Sequence, residues 1–224
     1  MEESYNRELD LVLNEISELK KEFIDCSTEI LKAGNSSLYL LDFLVSAIMN
    51  RAISLINAYV CLAKDNNYLS AVPLIRLQVD NVLSFYASML VKDSGNFARH
   101  FLDGKDIKDY KSFEGKNLSN NYLAKKIDET FPGILKLYRD TCAFIHLSNK
   151  YFSPIAQIKK GTKRTIEVRI GSYDVYSGDE KLKFSRSMLE VSKALIIIVR
   201  QWGIEKDRLV ALPEDEKSKY GRVL

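Results

Sequence analysis

The first 91 residues of this chain carry almost nothing that would interrupt a helix: one glycine, Gly34, and one proline, Pro73. Glycine and proline are the strongest local punctuation of a backbone. Ten glycines and four prolines in 224 residues predict long helices and few turns. The apolar residues agree. Leu9, Val12, Leu13, Ile16, Leu19, Phe23, Ile30 and Leu31 recur at helical spacing with Glu, Asp and Lys between them, which predicts a helix from about Ser4 to Lys32, ended by Gly34-Asn35. A second helix is expected from a Ser36 or Ser37 cap to about Lys64, apolar on most sides and central to the core. A third is expected over Leu69–Val91, with Pro73 near its first turn, where a missing N–H is tolerated. Short helical pieces follow to Lys116, then a helix to about Phe131, a break at Pro132-Gly133, and a helix to about Leu147.

The pattern changes after that helix. Ile166, Val168 and Ile170 alternate with Glu167 and Arg169, the period of a half-exposed strand, and with Ile155–Ile158 they predict a β-hairpin at about 155–170. A last long helix is expected over Lys181–Trp202, and the charged stretch 213–224 reads as a loose tail. The expectation is an all-α single domain spanning 1–224: an up-down bundle of long helices with a small β-hairpin inserted after the His146 helix.

Composition narrows the class. Apolar residues make up 46% and charged residues 28%, as in a globular protein. A net charge of +3 does not by itself argue for nucleic acid. Cys26, Cys61 and Cys142 lie far apart with no CxxC spacing, so they predict neither a disulfide framework nor a zinc site; each reads as a small buried hydrophobe. The acidic start, Met1-Glu2-Glu3, does not fit a secretory signal. The most apolar stretch, Leu38–Met49, is interrupted by Asp42 and followed by Arg51, short of the roughly 20 uninterrupted apolar residues a membrane span needs. No membrane association and a cytoplasmic location are expected.

Only two histidines are present, His100 and His146. There is no HExxH, no phosphate-binding glycine loop and no GxSxG elbow, and no group of residues has metal-ligand spacing. No metal and no cofactor are expected. His100 reads as a partly buried packing residue.

One segment carries chemistry: Tyr138-Arg139-Asp140-Thr141-Cys142-Ala143-Phe144-Ile145-His146. Arg139 and His146 are nearly two helical turns apart and share a face if the helix is continuous. Histidine is a general acid or base near neutral pH. Arginine grips a phosphate, or the charge that develops on it, with two N–H bonds. With the ribose 2′-OH as nucleophile, no metal is needed. A structural reading stands beside this one: His146 as a cation at a helix C-terminus, and Arg139 paired with Asp140 or Asp80. Arg76 and Asp80, spaced i, i+4 in an apolar helix, read as a buried ion pair or as residues that face the His146 helix and orient its polar groups. Lys159, Lys160, Lys163, Arg164 and Arg169 stand against Glu167 alone, a local charge of +4 suited to an RNA backbone or to a solvated hairpin tip.

An arginine, a polar residue directly after it and a histidine a few residues on, late in a helical bundle, resembles the signature of the HEPN superfamily. Here it runs Arg139, Asp140, five further residues, then His146, at the long end of the family's spacing. The earlier Ala71…Arg76…Asp80 helix, with Tyr138…His146-Leu147-Ser148, is also similar to a group of uncharacterised bacterial helical proteins. The resemblance covers about Leu38–Ser148. It implies a metal-independent endoribonuclease of a bacterial defence or toxin system, with Arg139 and His146 catalytic and Arg76, Asp80, Asp140 and Tyr138 supporting them. It further implies RNA as a partner, a homodimer with a composite site, and a protein partner such as an antitoxin. The alternative is a non-enzymatic helical module that binds a protein, RNA or nucleotide partner.

Overall fold

The computed structural model describes residues 2–145, 148, 156–158, 166–168 and 176–223. Among these are eight α-helices: α1 (Glu2–Lys32), α2 (Leu40–Lys64), α3 (Tyr68–Met89), α4 (Ser94–Leu102), α5 (Asn120–Ile127), α6 (Ile134–Cys142), α7 (Gly178–Leu209) and the short α8 (Glu214–Lys217). The protein is all-α in character. Two three-residue strands, β1 (Ala156–Ile158) and β2 (Ile166–Val168), pair antiparallel with Gln157 opposite Glu167.

The core is built by α1, α2, α3 and α7. Along α1 the packed residues repeat every seven positions: Leu9, Ile16, Phe23 and Ile30, with Val12, Leu19 and Cys26 between them. That heptad seam lies against α7, and the two helices run in the same direction. Glu8 pairs with Arg186, Glu15 with Lys193 at 2.6 Å and Glu29 with Arg200 at 3.2 Å. At the far end the Gly34 N–H donates to Asp207 at 2.8 Å. α7 is also parallel to α3 and antiparallel to α2: Tyr68 meets Phe184 and Gln78 meets Ser192, whereas Tyr59 bonds Ser185 and Asp42 bonds Trp202. The long helices thus run up, down, up, up. Strict alternation stops at α3, because residues 90–177 carry the chain back to the end from which α1 and α3 start.

α7 is also longer than its periodicity suggested. A capping box of Ser177 and Glu180 starts it. Gly203 does not stop it; the glycine lies against α1, where a side-chain Cβ would sit 3.5 Å from Ile30 Cγ1. α2 starts later than expected. Its cap is made by Asp42, which accepts the Tyr39 N–H at 2.8 Å, rather than by Ser36 or Ser37.

Asp42 has a second role. The Lys206 ammonium, fully enclosed, donates to both Asp42 carboxylate oxygens at 3.2 and 3.1 Å and to the Ile30 carbonyl at 2.9 Å. The Trp202 indole N–H adds a bond to Asp42 at 2.7 Å. Among the described residues, α2 alone is long and apolar enough to cross a membrane, and half of its most apolar window is buried in this core.

The stretch 213–223 is not a loose tail. Leu40 N–H bonds the Gly221 carbonyl at 2.9 Å, and Val223 N–H bonds the Leu38 carbonyl at 2.7 Å. Gly95 packs directly on Gly221, so close that a Cβ at Gly95 would lie 2.4 Å from the Gly221 nitrogen. Backbone hydrogen bonding and a glycine–glycine contact outweigh the segment's charged composition.

Candidate functional site

The segment singled out by sequence is held by α6. Asp128 sets its start, accepting the Gly133 and Leu135 N–H groups at 2.9 Å each, with Gly133 at φ +103°. The helix was expected to reach Leu147 but ends at Cys142. Ala143–Ile145 form a turn in which Phe144 N–H bonds the Thr141 carbonyl and Ile145 N–H bonds that of Cys142, at 3.0 and 3.2 Å. Phe144 is buried, edge-on to Phe184, and pins this turn to α7. The regular helix that carries Arg139 therefore ends at Cys142 and passes into a turn over Ala143–Ile145. His146 lies outside the described residues, as do Lys159, Lys160, Lys163, Arg164 and Arg169.

α6 distributes the remaining candidates over three faces. Tyr138 and Cys142 turn toward α3, where the Arg76 guanidinium lies over the Tyr138 ring, 4.4 Å from its centre. Arg76 pairs with Asp80, which also accepts a bond from Asn120 Nδ2 at 3.1 Å. The Arg76 side chain is 9% exposed, and its Nε makes no hydrogen bond among the described residues. Burial pulls the Arg76 pKa down, but the Asp80 hydrogen bond and charge, helped by the Cys142 thiol, outweigh it and leave the pKa above its ordinary value. Burial foremost, and the neighbouring Cys142, push the Tyr138 hydroxyl up, against the opposing charge of Arg76. Arg76 thus faces α6, where it meets Tyr138 and Cys142, whereas Asp80 is engaged by Arg76 and by Asn120 of α5.

Asp140 occupies a second face. It pairs with Lys136 and borders a cleft of about 530 Å³ between α6 and α7. Leu137 and Val191 line the cleft, together with Lys136, Arg186 and Glu190. Arg139 occupies the third, outward face and is exposed. Asp80 and Asp140, the two carboxylates that might have neutralised it, are paired with Arg76 and Lys136, and Arg139 has no ion-pair partner among the described residues.

Other expectations divide. His100 is half-buried, packed against Tyr110 with ring centres 5.2 Å apart, and its Nε2 lies 2.9 Å from the Asp106 carbonyl. The cysteines are not alike: Cys26 is buried, Cys142 half-buried and Cys61 exposed. Cys61 lies on the outer side of α2, on a solvent face it shares with Asn50, Ser54 and Asn57. Sequence reasoning also missed a polar chain through the core, Arg51–Asn81–Gln78–Ser192. Its amides sit among aliphatic residues at helical spacing, a pattern that does not reveal which polar residues meet across helices.

Compared with known proteins, the chain matches no family model, no curated protein and no solved structure.

Proposed function

We propose that this chain is a HEPN-like helical protein acting as a metal-independent endoribonuclease, with Arg139 and His146 as its catalytic residues. The observation that supports this reading is the state of Arg139. Its guanidinium is exposed and has no ion-pair partner among the described residues, which leaves N–H donors for a phosphate. In the reaction the ribose 2′-OH attacks the adjacent phosphorus as His146 removes its proton, and the bond to the 5′-oxygen breaks as that oxygen takes a proton from a water molecule, giving a 2′,3′-cyclic phosphate and a 5′-hydroxyl. Arg139 stabilises the negative charge on the non-bridging oxygens. Arg76, paired with Asp80, packs on Tyr138 and holds α6 against α3, and Asp140 pairs with Lys136 on the adjoining face. The β1–β2 pair is the stem of an insertion in the helical bundle, and its basic residues Lys159, Lys160, Lys163, Arg164 and Arg169 follow the RNA backbone. A homodimer completes a composite site, and an antitoxin-like protein restrains it in the cytoplasm.

A second reading draws on Arg76, whose largely buried side chain is ion-paired with Asp80 and covered by the Tyr138 ring, as a structural residue would be. It makes the chain a non-enzymatic interaction module. Cleavage of a mixed RNA pool in EDTA separates the two. The proposed function predicts cyclic-phosphate products that are lost in both Arg139→Ala and His146→Ala at matched folding. A wild-type protein that leaves the pool intact favours the interaction module.

A further inference from the structure

Arg51 is exposed on α2 and is held from within. One guanidinium nitrogen donates to Asn81 Oδ1 at 2.7 Å, Asn81 Nδ2 donates to Gln78 Oε1 at 3.0 Å, and Gln78 Nε2 donates to Ser192 Oγ at 2.9 Å. The Ser192 hydroxyl points on to Met188 Sδ at 3.9 Å. Asn81, Gln78 and Ser192 are 1%, 0% and 0% exposed. Every link runs in one direction, donor to acceptor, from the surface cation into the core across α2, α3 and α7.

Burying two carboxamides and a hydroxyl is unfavourable unless each is bonded, and leucines would fill the same space more simply. What the chain achieves is a fixed arginine. Arg186, Arg200, Arg208 and Arg222 are held at the surface by glutamates, which neutralise them as they orient them. Arg51 is held by a neutral amide, and among the described residues no carboxylate pairs with it. A neutral holder orients the guanidinium and leaves its full charge and its other N–H donors to an incoming anion. Ordering such a side chain in advance removes part of the entropy lost on binding.

We propose that Arg51 is an anion-binding residue that takes a phosphate group, with Asn81, Gln78 and Ser192 as the positioning residues behind it. The planar fork of N–H donors matches two oxygens of a tetrahedral phosphate. The phosphate belongs either to a polynucleotide backbone or to a free phosphoanhydride. The assignment is independent of Arg139 and of cleavage.

The test uses the full chain at low salt with two probes: a fluorescein-labelled ten-nucleotide 2′-O-methyl RNA without terminal phosphates, which cannot be cleaved through its 2′ position, and pyrophosphate. Saturable binding of at least one probe is expected, weakened about tenfold or more in Arg51→Gln, whose amide retains an N–H donor for Asn81, with Tm recorded on the same samples. Arg51→Lys, which lacks the fork, should not restore it. Asn81→Leu should weaken binding several-fold in the Arg51 protein and not further in Arg51→Gln, an interaction that a purely structural amide would not show. Binding of the RNA assigns the phosphate to a polynucleotide, and binding of pyrophosphate alone to a free phosphoanhydride. Equal affinity of wild type and Arg51→Gln for both probes, or no saturation by either up to about ten millimolar, overturns the proposal whether or not Asn81→Leu folds.

Discussion

Asp42 and Lys206 are 2% and 0% exposed, and each is the other's principal counter-charge. Removing one leaves a buried ion with no opposite charge. Asp42→Ala or Lys206→Met is therefore expected to lower unfolding free energy by about 3–5 kcal/mol, and Asp42→Leu with Lys206→Met together by much less than the sum, as measured by urea unfolding. Cys26 supplies a pH signal from the same core. Burial pushes its thiol from the ordinary 9.0 up to about 11. A raised folded pKa means that the protonated thiol favours the fold. Its contribution is complete below pH 9 and is lost as pH rises through about 11, so the urea midpoint should fall over that window, and less steeply in Cys26→Ala. In the native protein iodoacetamide should modify the exposed Cys61 and spare Cys26, as read by mass spectrometry. Asp42 was legible in the sequence as the one charge inside an apolar run. Its partner was not, because Lys206 is separated from it by more than 160 residues and looks like any lysine near a helix C-terminus.

The four long helices were readable from periodicity, since each buries a stripe at 3.6-residue spacing. Their ends were not. The last helix was expected to end at Trp202 but runs on through Gly203, which packs on α1, and α6 stops at Cys142, where the chain turns and buries Phe144. The segment 213–223 looked loose because docking by backbone hydrogen bonds leaves no trace in side-chain pattern. Its anchor gives a direct test. Gly95→Ala should dislodge the segment, and limited proteolysis should then cut within 213–223, where the wild-type chain is protected. The α1–α7 ion pairs make the opposite prediction. The side chains of Glu8 and Arg186 are 45% and 56% exposed, so Glu8→Gln should change stability by no more than about 1 kcal/mol, and less at high salt.

At the scale of the whole molecule, helical class follows from composition and period, while the direction of α7 depends on how 88 intervening residues return the chain, which no local pattern encodes. The candidate site shows the same division. The sequence placed Arg139, Asp140 and Tyr138 together, and the fold separates them onto three faces of α6, with Asp140 drawn off by Lys136 and Tyr138 covered by Arg76. Of the three, Arg139 is left exposed and without an ion-pair partner among the described residues. The most direct test compares metal-free RNA cleavage by wild type and Arg139→Ala in EDTA, with Tm recorded on the same samples. Because the side chain is exposed and unpaired among the described residues, the expected result is cleavage reduced about a hundredfold or more at a Tm within about 3 °C of wild type. Equal cleavage by the two proteins, or a large fall in Tm for Arg139→Ala without wild-type cleavage, would contradict the account and return Arg139 to a structural role.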